Sequence, residues 1–231
     1  MVVVIATYNE VETIGDILHS LSNVPVIVVD DSSPDGTGEL VRAYGNATLI
    51  TRPGKLGIAS AYITGIQAAL EVGADSVVQM DAGGTHRPGD ARILDSAAQL
   101  YGADLVIGSR FYRRKRTPQA IDGWTFRGGR TLISLGAAFL MRRLGINVRD
   151  ATSGFRCWSR RILERMDLNA VHAHGFAFQL EMLSLAYRAG AEIIEASIPY
   201  RLTNSTFNPG MLREALVTYL RLCHDHHLLD S

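Results

Sequence analysis

The sequence predicts an α/β protein whose sheet is mostly parallel and covered by helices. In the first half of the chain, short apolar runs alternate with segments of helical periodicity. Several of these runs end in an acidic residue or in a loop that carries one, which is typical of a ligand-binding sheet edge. Strands that alternate with helices favour a parallel sheet with right-handed crossovers, so this is the topology that we expect.

The first half of the chain contains the more regular part of this pattern. We expect strands at 2–6, 24–29, 48–51, 75–80 and 105–108, and helices at 11–21, from the turn 32–37 to residue 44, at 58–71 and at 88–100. The run Val77–Met80 is central to the prediction, because it ends in Asp81 and the glycine-rich turn that follows.

The second half has longer loops between its predicted elements. We expect an apolar helix at 131–144, a polar loop at 150–156 before a strand or helix, a helix at 176–188, a strand at 193–200 and a helix at 212–224. The length of 231 residues suits a single domain, in which residues 1–110 form the wound half and residues 111–231 the remainder.

Composition excludes several classes of protein. The formal net charge is +0, so no overall field indicates nucleic acid as a partner. The 2 cysteines are far apart in sequence, which is neither a disulfide framework nor a zinc motif and suits a reducing compartment. No apolar run approaches the roughly 18 residues of a membrane span, and no signal peptide is recognisable. We therefore expect a cytoplasmic protein.

Three predicted strands end near acidic residues, which are Glu10, Asp30 with Asp31, and Asp81. The carboxyl ends of parallel strands meet at one edge of a sheet, where ligands bind in α/β proteins. For Asp81, one interpretation is a cap on the following turn, and the other is a carboxylate that holds a metal-bound diphosphate. Acids gathered along one edge favour a nucleotide or sugar site.

A basic segment follows the fifth predicted strand. Residues 110–130 contain seven basic side chains together with a proline and several glycines: Arg110, Arg113, Arg114, Lys115, Arg116, Arg127 and Arg130. One interpretation is a solvated charged loop. The alternative is an anion-binding flap, because arginine binds phosphate through paired hydrogen bonds and the loop lies at the edge that carries the acids.

The order of the motifs resembles glycosyltransferase family 2, and within it the branch of polyprenyl-phosphate (dolichyl-phosphate) mannose synthases. The resemblance is collinear from residue 2 to about residue 200. The matching segments are residues 7–10, 28–37, 54–57 with Ala59 and Ala61, 80–82, 106–110, 150–156, 178–181 and 198–199. The acidic loop 30–37 and the Ser-Gly-Phe-Arg segment at 153–156 are together specific for this family.

The resemblance implies a GT-A fold, a nucleotide-diphosphate-sugar donor and transfer with inversion at the anomeric carbon. It makes 1–110 the nucleotide-sugar-binding half and 111–231 the acceptor half. It also assigns donor-binding positions. These are Ala6, Tyr8 and Glu10 for the base, Val29 and Asp31 for base and ribose, Lys55 in the loop 54–57, Asp81 and Ala82 for ribose and the metal-bridged diphosphate, and Arg110 near the diphosphate.

The sequence departs from the family motif after the fourth strand. The family has Asp-Ala-Asp where this chain has Asp81-Ala82-Gly83, so the second carboxylate is missing. Asp81 with diphosphate oxygens and water would still offer hard oxygen ligands to Mg²⁺ or Mn²⁺, although more weakly. His86 is a substitute candidate for a ligand. Alternatively, Arg110 and the basic loop replace the metal in neutralising the diphosphate.

A second departure follows Ile198-Pro199. The family continues with an acid-Arg pair and a Gly-x-Ser-Lys segment, where this chain has Asn204-Ser205 and residues 208–211, without the arginine and lysine that would meet phosphates. Arg201 and Arg213 are the candidates for compensating this loss.

Three functions remain open at this stage. The first is transfer of a sugar, with mannose from GDP-mannose as the modal donor, to a polyprenyl phosphate, which needs no general base and allows peripheral contact at the inner face of a membrane. The second is a soluble glycosyltransferase that acts on a small-molecule hydroxyl, for which Asp150 or Glu181 would be the base. The third is an inactive nucleotide-sugar-binding protein. Glu181 has the alternative of pairing with an arginine of the basic loop.

Overall fold

The computed structural model describes residues 1–111, 128–175, 177–200 and 209–227. The strands are β1 (Val2–Thr7), β2 (Val26–Asp30), β3 (Ala47–Thr51), β4 (Ser76–Asp81), β5 (Leu105–Ser109), β6 (Arg156–Ser159) and β7 (Ile193–Ser197). The helices are α1 (Val11–Ser20), α2 (Thr37–Arg42), α3 (Ile58–Glu71), α4 (Asp90–Tyr101), α5 (Gly128–Arg143), α6 (Arg160–Arg165), α7 (Phe178–Arg188) and α8 (Pro209–His227), with a short 3₁₀ turn at Leu168–Ala170.

The strands form one 7-stranded sheet in the order β3-β2-β1-β4-β6-β5-β7. All neighbouring pairs are parallel except those of β6, which runs antiparallel to both β4 and β5. The α/β class and the mostly parallel sheet are thus confirmed. Among the described strands, β6 is the one that departs from the parallel direction, because the chain enters it from the carboxyl edge of the sheet.

The inner strand β1 is buried on both faces, which explains its uninterrupted apolar sequence. Val3 and Ile5 face a core shared with α1, α2 and α4. Val2 and Val4 face the other core, which contains residues of α3, α5 and α7. Helices therefore cover both faces of the sheet. The edges at which the strands begin and end remain as places for a ligand.

Helix α3 approaches the sheet more closely than a residue with a side chain would allow. A Cβ atom on Gly65 would overlap the side chain of Val4 and would crowd Val29. Glycine at this position thus brings the helix down onto β1 and β2. The close contact fixes the amino end of α3, and with it the preceding loop 54–57, beside the carboxyl ends of these strands.

Most predicted elements lie within a few residues of their observed bounds. Helix α3 has the expected bounds, whereas β7 ends at Ser197 instead of residue 200, and α8 extends beyond its expected range at both ends. Strand β6 and helix α6 were not separately predicted, because they are short and follow each other directly, so neither shows a sustained periodic pattern.

Candidate active site

The carboxyl edge of the sheet brings the central donor-binding positions into one row. Ala6 on β1 is in register with Val29 on β2 and with Asp81 on β4. The three residues belong to different parts of the sequence and become neighbours only through strand pairing. The structure thus brings together the positions to which the resemblance assigned the base, the ribose and the diphosphate.

The loop after β1 is held by the loop after β2. The backbone N–H groups of Asn9, Glu10 and Val11 donate to the side chains of Ser33, Thr37 and Asp35, at 2.9, 3.0 and 3.1 Å respectively. This contact explains why the acidic loop 30–37 carries so many hydroxyl and carboxyl groups, since they bond a neighbouring segment of backbone. It places Tyr8 and Glu10 at the edge of the sheet.

Tyr8 and Lys55 meet at the outer margin of this row. The ammonium group of Lys55 lies 4.2 Å from the centroid of the Tyr8 ring. The ring is partly exposed, so the pair lines the surface of the cleft. An aromatic face under a cation offers a platform to a nucleotide base and a positive charge to its phosphates.

Asp31 is buried and bonded through both of its oxygens. One oxygen accepts a hydrogen bond of 2.6 Å from Nε of Arg52, and the other accepts one of 3.1 Å from the backbone N–H of Leu56. Arg52 also donates to the carbonyl oxygen of Gly57 and to the hydroxyl of Ser60. Asp31 therefore anchors the loop that carries Lys55. The sequence analysis missed Arg52, although an arginine just after a strand that ends at the ligand edge was the available signal.

Asp81 is the carboxylate of the row, and it is accessible to solvent. Its side chain is 37% exposed, and both oxygens lie 2.6 Å from the hydroxyl of Thr85. No lysine or arginine in the described ranges forms an ion pair with Asp81. A carboxylate without a cationic partner at the mouth of a cleft is able to accept a metal ion. The hydroxyl of Thr85 also gives the turn after β4 a local bond, so the capping interpretation and the ligand interpretation are compatible.

His86 lies beneath Asp81 in a buried position. Its ring stacks on Phe155 with the centroids 4.7 Å apart, and its Nε2 is 3.6 Å from a carboxylate oxygen of Asp81. Burial lowers the pKa of His86, against the opposing influence of the Asp81 charge. The ring is thus neutral at physiological pH. Its Nδ1 atom is buried and has no hydrogen-bond partner in the described part of the chain, which is unusual for a polar atom.

Arg110 binds Asp150 in a two-point contact. Nε donates to one oxygen of the carboxylate at 2.7 Å and Nη2 donates to the other at 2.5 Å. The backbone N–H of Arg110 and the hydroxyl of Thr152 complete the arrangement. Asp150 is completely buried, and its own backbone N–H donates to Glu195. In this geometry Asp150 orients Arg110. The same contact disfavours the assignment of Asp150 as a general base.

Glu181 is also fully engaged, but elsewhere. One oxygen accepts 2.8 Å hydrogen bonds from the backbone N–H groups of His172 and Ala173, and the other lies 3.0 Å from Arg221 of α8. It has no described contact with Asp81 or Arg110. The alternative role of Glu181 was pairing with an arginine of the basic loop, but its described arginine partner is Arg221 of the terminal helix. The use of both oxygens disfavours a general-base role for Glu181.

Arg156 is a second arginine that the sequence analysis did not single out. It is completely buried and donates to the carbonyl oxygens of Ala151, Ser153 and Gln179 at 2.7–2.9 Å. Burial lowers its pKa to about 9. These bonds fix the loop 150–155, so Arg156 supports the segment that presents Asp150 to Arg110.

Some predicted features lie outside the described residues. They are the greater part of the basic loop, at 112–127, and Arg201 with the segment 204–208. Arg213 is described and is exposed on α8. Within the described ranges, no group of three or more His, Cys, Asp or Glu side chains is arranged to hold a metal ion. None of the described helices combines the length and the hydropathy that crossing a bilayer requires.

Comparison with known proteins agrees with this geometry. The model of the family described as "Glycosyl transferase family 2" matches residues 2–167. The polyprenol monophosphomannose synthase of Mycolicibacterium smegmatis is 35% identical, over 93% of this chain and 83% of that protein. The undecaprenyl-phosphate mannosyltransferase of Micrococcus luteus is 36% identical, over 94% of this chain and 91% of that protein.

Solved structures show the same fold at lower sequence identity. Glucosyl-3-phosphoglycerate synthase from Mycobacterium tuberculosis, in complex with Mn²⁺ and UDP-glucose, has a TM-score of 0.71 at 22% identity, over 96% of this chain and 78% of that one. Mannosyl-3-phosphoglycerate synthase from Rubrobacter xylanophilus has a TM-score of 0.68 at 17% identity, over 99% of this chain and 74% of that one. The expected GT-A fold is confirmed.

Proposed function

As this chain belongs to glycosyltransferase family 2 and is a glycosyltransferase, we propose that it transfers mannose from GDP-mannose to a polyprenyl phosphate with inversion at the anomeric carbon. Two relatives at 35% and 36% identity carry names that combine a polyprenyl carrier with mannosyl transfer. The row formed by Ala6, Val29 and Asp81 supports a nucleotide-sugar donor at the carboxyl edge of the sheet.

The observation that carries the choice of acceptor is the engagement of both candidate bases. Asp150 is held by Arg110, and Glu181 is held by two backbone N–H groups and Arg221. A hydroxyl acceptor must lose a proton during transfer and needs a base, whereas a phosphate acceptor is already an anion. The described residues therefore favour a phosphate as the attacking group.

The reaction is an in-line displacement. An oxygen of the acceptor phosphate forms a bond to the anomeric carbon while the bond from that carbon to the nucleoside diphosphate breaks, and the diphosphate leaves with the negative charge. Stabilisation of this charge is the main catalytic requirement. Arg110, oriented by Asp150, is the described residue that we assign to the diphosphate, and Lys55 adds a second positive charge near the base.

The residues fit a divalent metal ion, although with fewer ligands than the family motif provides. Asp81 is half-exposed, and the hydroxyl of Thr85 is a neutral partner that does not cancel its charge. Hard oxygen ligands of this kind suit Mg²⁺ or Mn²⁺. Such an ion would supply positive charge to the leaving diphosphate, and we assign Asp81 as its protein ligand.

Peripheral contact with a membrane would bring the enzyme to a lipid acceptor. Leu135 and Phe139 are exposed on one face of α5, and the exposed side chains of Arg142 and Arg143 follow at its end. An apolar stripe that ends in basic residues suits a surface of anionic lipid. We therefore assign this face of α5 to the membrane.

The test is transfer of labelled sugar into an organic phase. The protein is incubated with Mg²⁺ or Mn²⁺, a polyprenyl phosphate in vesicles, and either GDP-mannose or UDP-glucose. We expect label from GDP-mannose in the organic phase, and we expect Arg110→Ala to abolish it while Arg92→Ala, an exposed arginine of α4, does not. Transfer only to water-soluble hydroxyl compounds would support the second function, and neither transfer nor donor binding would support the inactive protein.

A further inference from the structure

We infer that Glu10 supplies the second carboxylate of the metal site, in place of the one that the chain lacks at Gly83. The inference rests on the proposed function, because it concerns the ion that would accompany the donor diphosphate. It assigns to Glu10 a role different from the base-binding position that the resemblance implied.

The backbone conformation at position 83 does not require a glycine. Its φ lies outside the left-handed region, whereas that of the neighbouring Gly84 is +68°. A Cβ atom on Gly83 would have one described neighbour within 4 Å, the Oε1 atom of Glu10 at 3.9 Å. A side chain at position 83 would thus extend toward the carboxylate of Glu10. Glu10 is thus the described carboxylate that faces the position where the family motif carries its second acid.

Glu10 is anchored so that this oxygen remains at the cleft. Its backbone N–H donates to Thr37, and its Oε2 accepts a hydrogen bond of 3.1 Å from the hydroxyl of Thr13. Among the described residues, no lysine or arginine pairs with Glu10. Asp31 and Asp150 at the same edge each have an arginine partner, whereas Glu10 and Asp81 have none among the described residues.

The two carboxylates are close enough to repel each other. The pKa of Glu10 is raised, first by burial and further by the negative charges of Asp81 and Asp35. Two anionic groups that converge without a cation are unfavourable, and a divalent ion with oxygen ligands from both would remove the repulsion. Together with the approach of Glu10 to position 83, this favours an ion at the carboxyl ends of β1 and β4, which are paired at this edge.

His86 is an independent observation that points to a ligand at the same place. Its side chain is 4% exposed, and Nε2 lies 3.6 Å from Asp81, which is too long for a hydrogen bond. Nδ1 is buried and has no described partner. A buried imidazole directed at a carboxylate without bonding it can donate to an oxygen ligand of the ion, such as water or a diphosphate oxygen.

The experiment measures Mn²⁺ binding directly, by the electron paramagnetic resonance signal of free Mn²⁺ in the presence of GDP and, in a parallel series, of UDP. We expect Glu10→Gln and Asp81→Asn each to weaken Mn²⁺ binding by on the order of tenfold to a hundredfold, which is the range typical for lost partners of a metal site. Glu12→Gln, an exposed acid on α1, serves as the matched control and leaves binding unchanged.

Restoring the family carboxylate separates the role of Glu10 from a general effect on folding. Gly83→Asp in the Glu10→Gln background is expected to recover Mn²⁺ binding, because one carboxylate replaces the other. The affinity for the nucleotide in EDTA distinguishes a metal-ligand role of Glu10 from a base-binding role. If Glu10 is a metal ligand, Glu10→Gln leaves the affinity in EDTA unchanged, whereas equal losses with EDTA and with Mn²⁺ would overturn the inference.

The failure of the inference differs from the failure of the proposed function. If Asp81→Asn loses Mn²⁺ binding and Glu10→Gln does not, the donor site stands and the inference is wrong. If the wild-type protein binds neither nucleotide with Mn²⁺, both are wrong.

Discussion

The guanidinium group of Arg110 binds Asp150 through two nearly equal hydrogen bonds, although the two residues are 40 positions apart in the sequence. Asp150 is completely buried, and the side chain of Arg110 is 23% exposed. The carboxylate thus orients the arginine from below, and the arginine keeps part of its surface at the cleft. This relationship joins the loop after β5 to the loop before β6 and underlies the first prediction.

Asp150→Asn is expected to lower kcat by about a hundredfold, because an amide cannot hold the guanidinium at both points and the charge facing the leaving diphosphate is misplaced. The pH profile of kcat should keep its shape, since Asp150 is a positioning residue. Steady-state assays across pH measure both effects. Asp75→Asn, at an exposed acid, is the control. Loss of the acidic limb of the profile would instead show that Asp150 acts as a base.

Arg156→Met is expected to lower the free energy of unfolding by about 3 kcal/mol or more, because three buried carbonyl oxygens lose their donor. Equilibrium unfolding in urea measures this change. Arg42→Met, at an exposed arginine on α2, should lie within about 0.5 kcal/mol of wild type. A similar result for both variants would contradict the structural role of Arg156.

Gly65→Ala is expected to destabilise the protein by about 1–3 kcal/mol, because the new methyl group overlaps Val4 in the core. Gly136→Ala is the matched control, since Gly136 is exposed in α5 and a Cβ there meets nothing within 4 Å. That substitution should stabilise by up to about 1 kcal/mol through helix propensity. Thermal unfolding of the two variants measures the contrast, and equal effects would rule out the close contact of α3 with β1.

The buried histidine predicts a dependence of stability on pH. Burial lowers the pKa of His86, so between the lowered value and about 6.5 the unfolded chain binds more protons than the folded protein. Stability therefore rises with pH across this window and is lost as the pH falls through it. Urea unfolding at about pH 7.5 and about pH 5.5 measures the loss.

His86→Gln should reduce that loss, because glutamine does not titrate. His19→Gln, at an exposed histidine of α1, should retain the pH dependence of the wild-type protein. If His86→Gln and the wild type lose equal stability between the two pH values, the folded protein does not keep His86 neutral.

The ends of the first strands were predictable from the sequence because their signals are local. The strands β1, β2 and β4 are apolar runs that end in or just before Glu10, Asp31 and Asp81, and the run length and the acid can be recognised without knowledge of the rest of the chain. The family resemblance added the function, through motifs that lie in the same order along the chain.

The partners of these acids were not predictable, because hydrogen bonds between side chains depend on which loops meet in space. Nothing local pairs Asp31 with Arg52, Asp150 with Arg110, or Glu181 with Arg221. These contacts show that both candidate bases, Asp150 and Glu181, are engaged in ion pairs. The structure also leaves Asp81 and Glu10 without a lysine or arginine partner among the described residues.

The sequence by itself determined the α/β class, the parallel strands of the first half and the family. Periodicity and run length report which face of an element is buried, which is enough for the class and the parallel strands. The family was indicated by the resemblance of motifs that lie in a shared order. Only the tertiary structure decided that β6 enters antiparallel between β4 and β5 and that Glu10 faces Gly83. Both are relationships between distant segments, and they follow from strand order and packing rather than from any local pattern of residues.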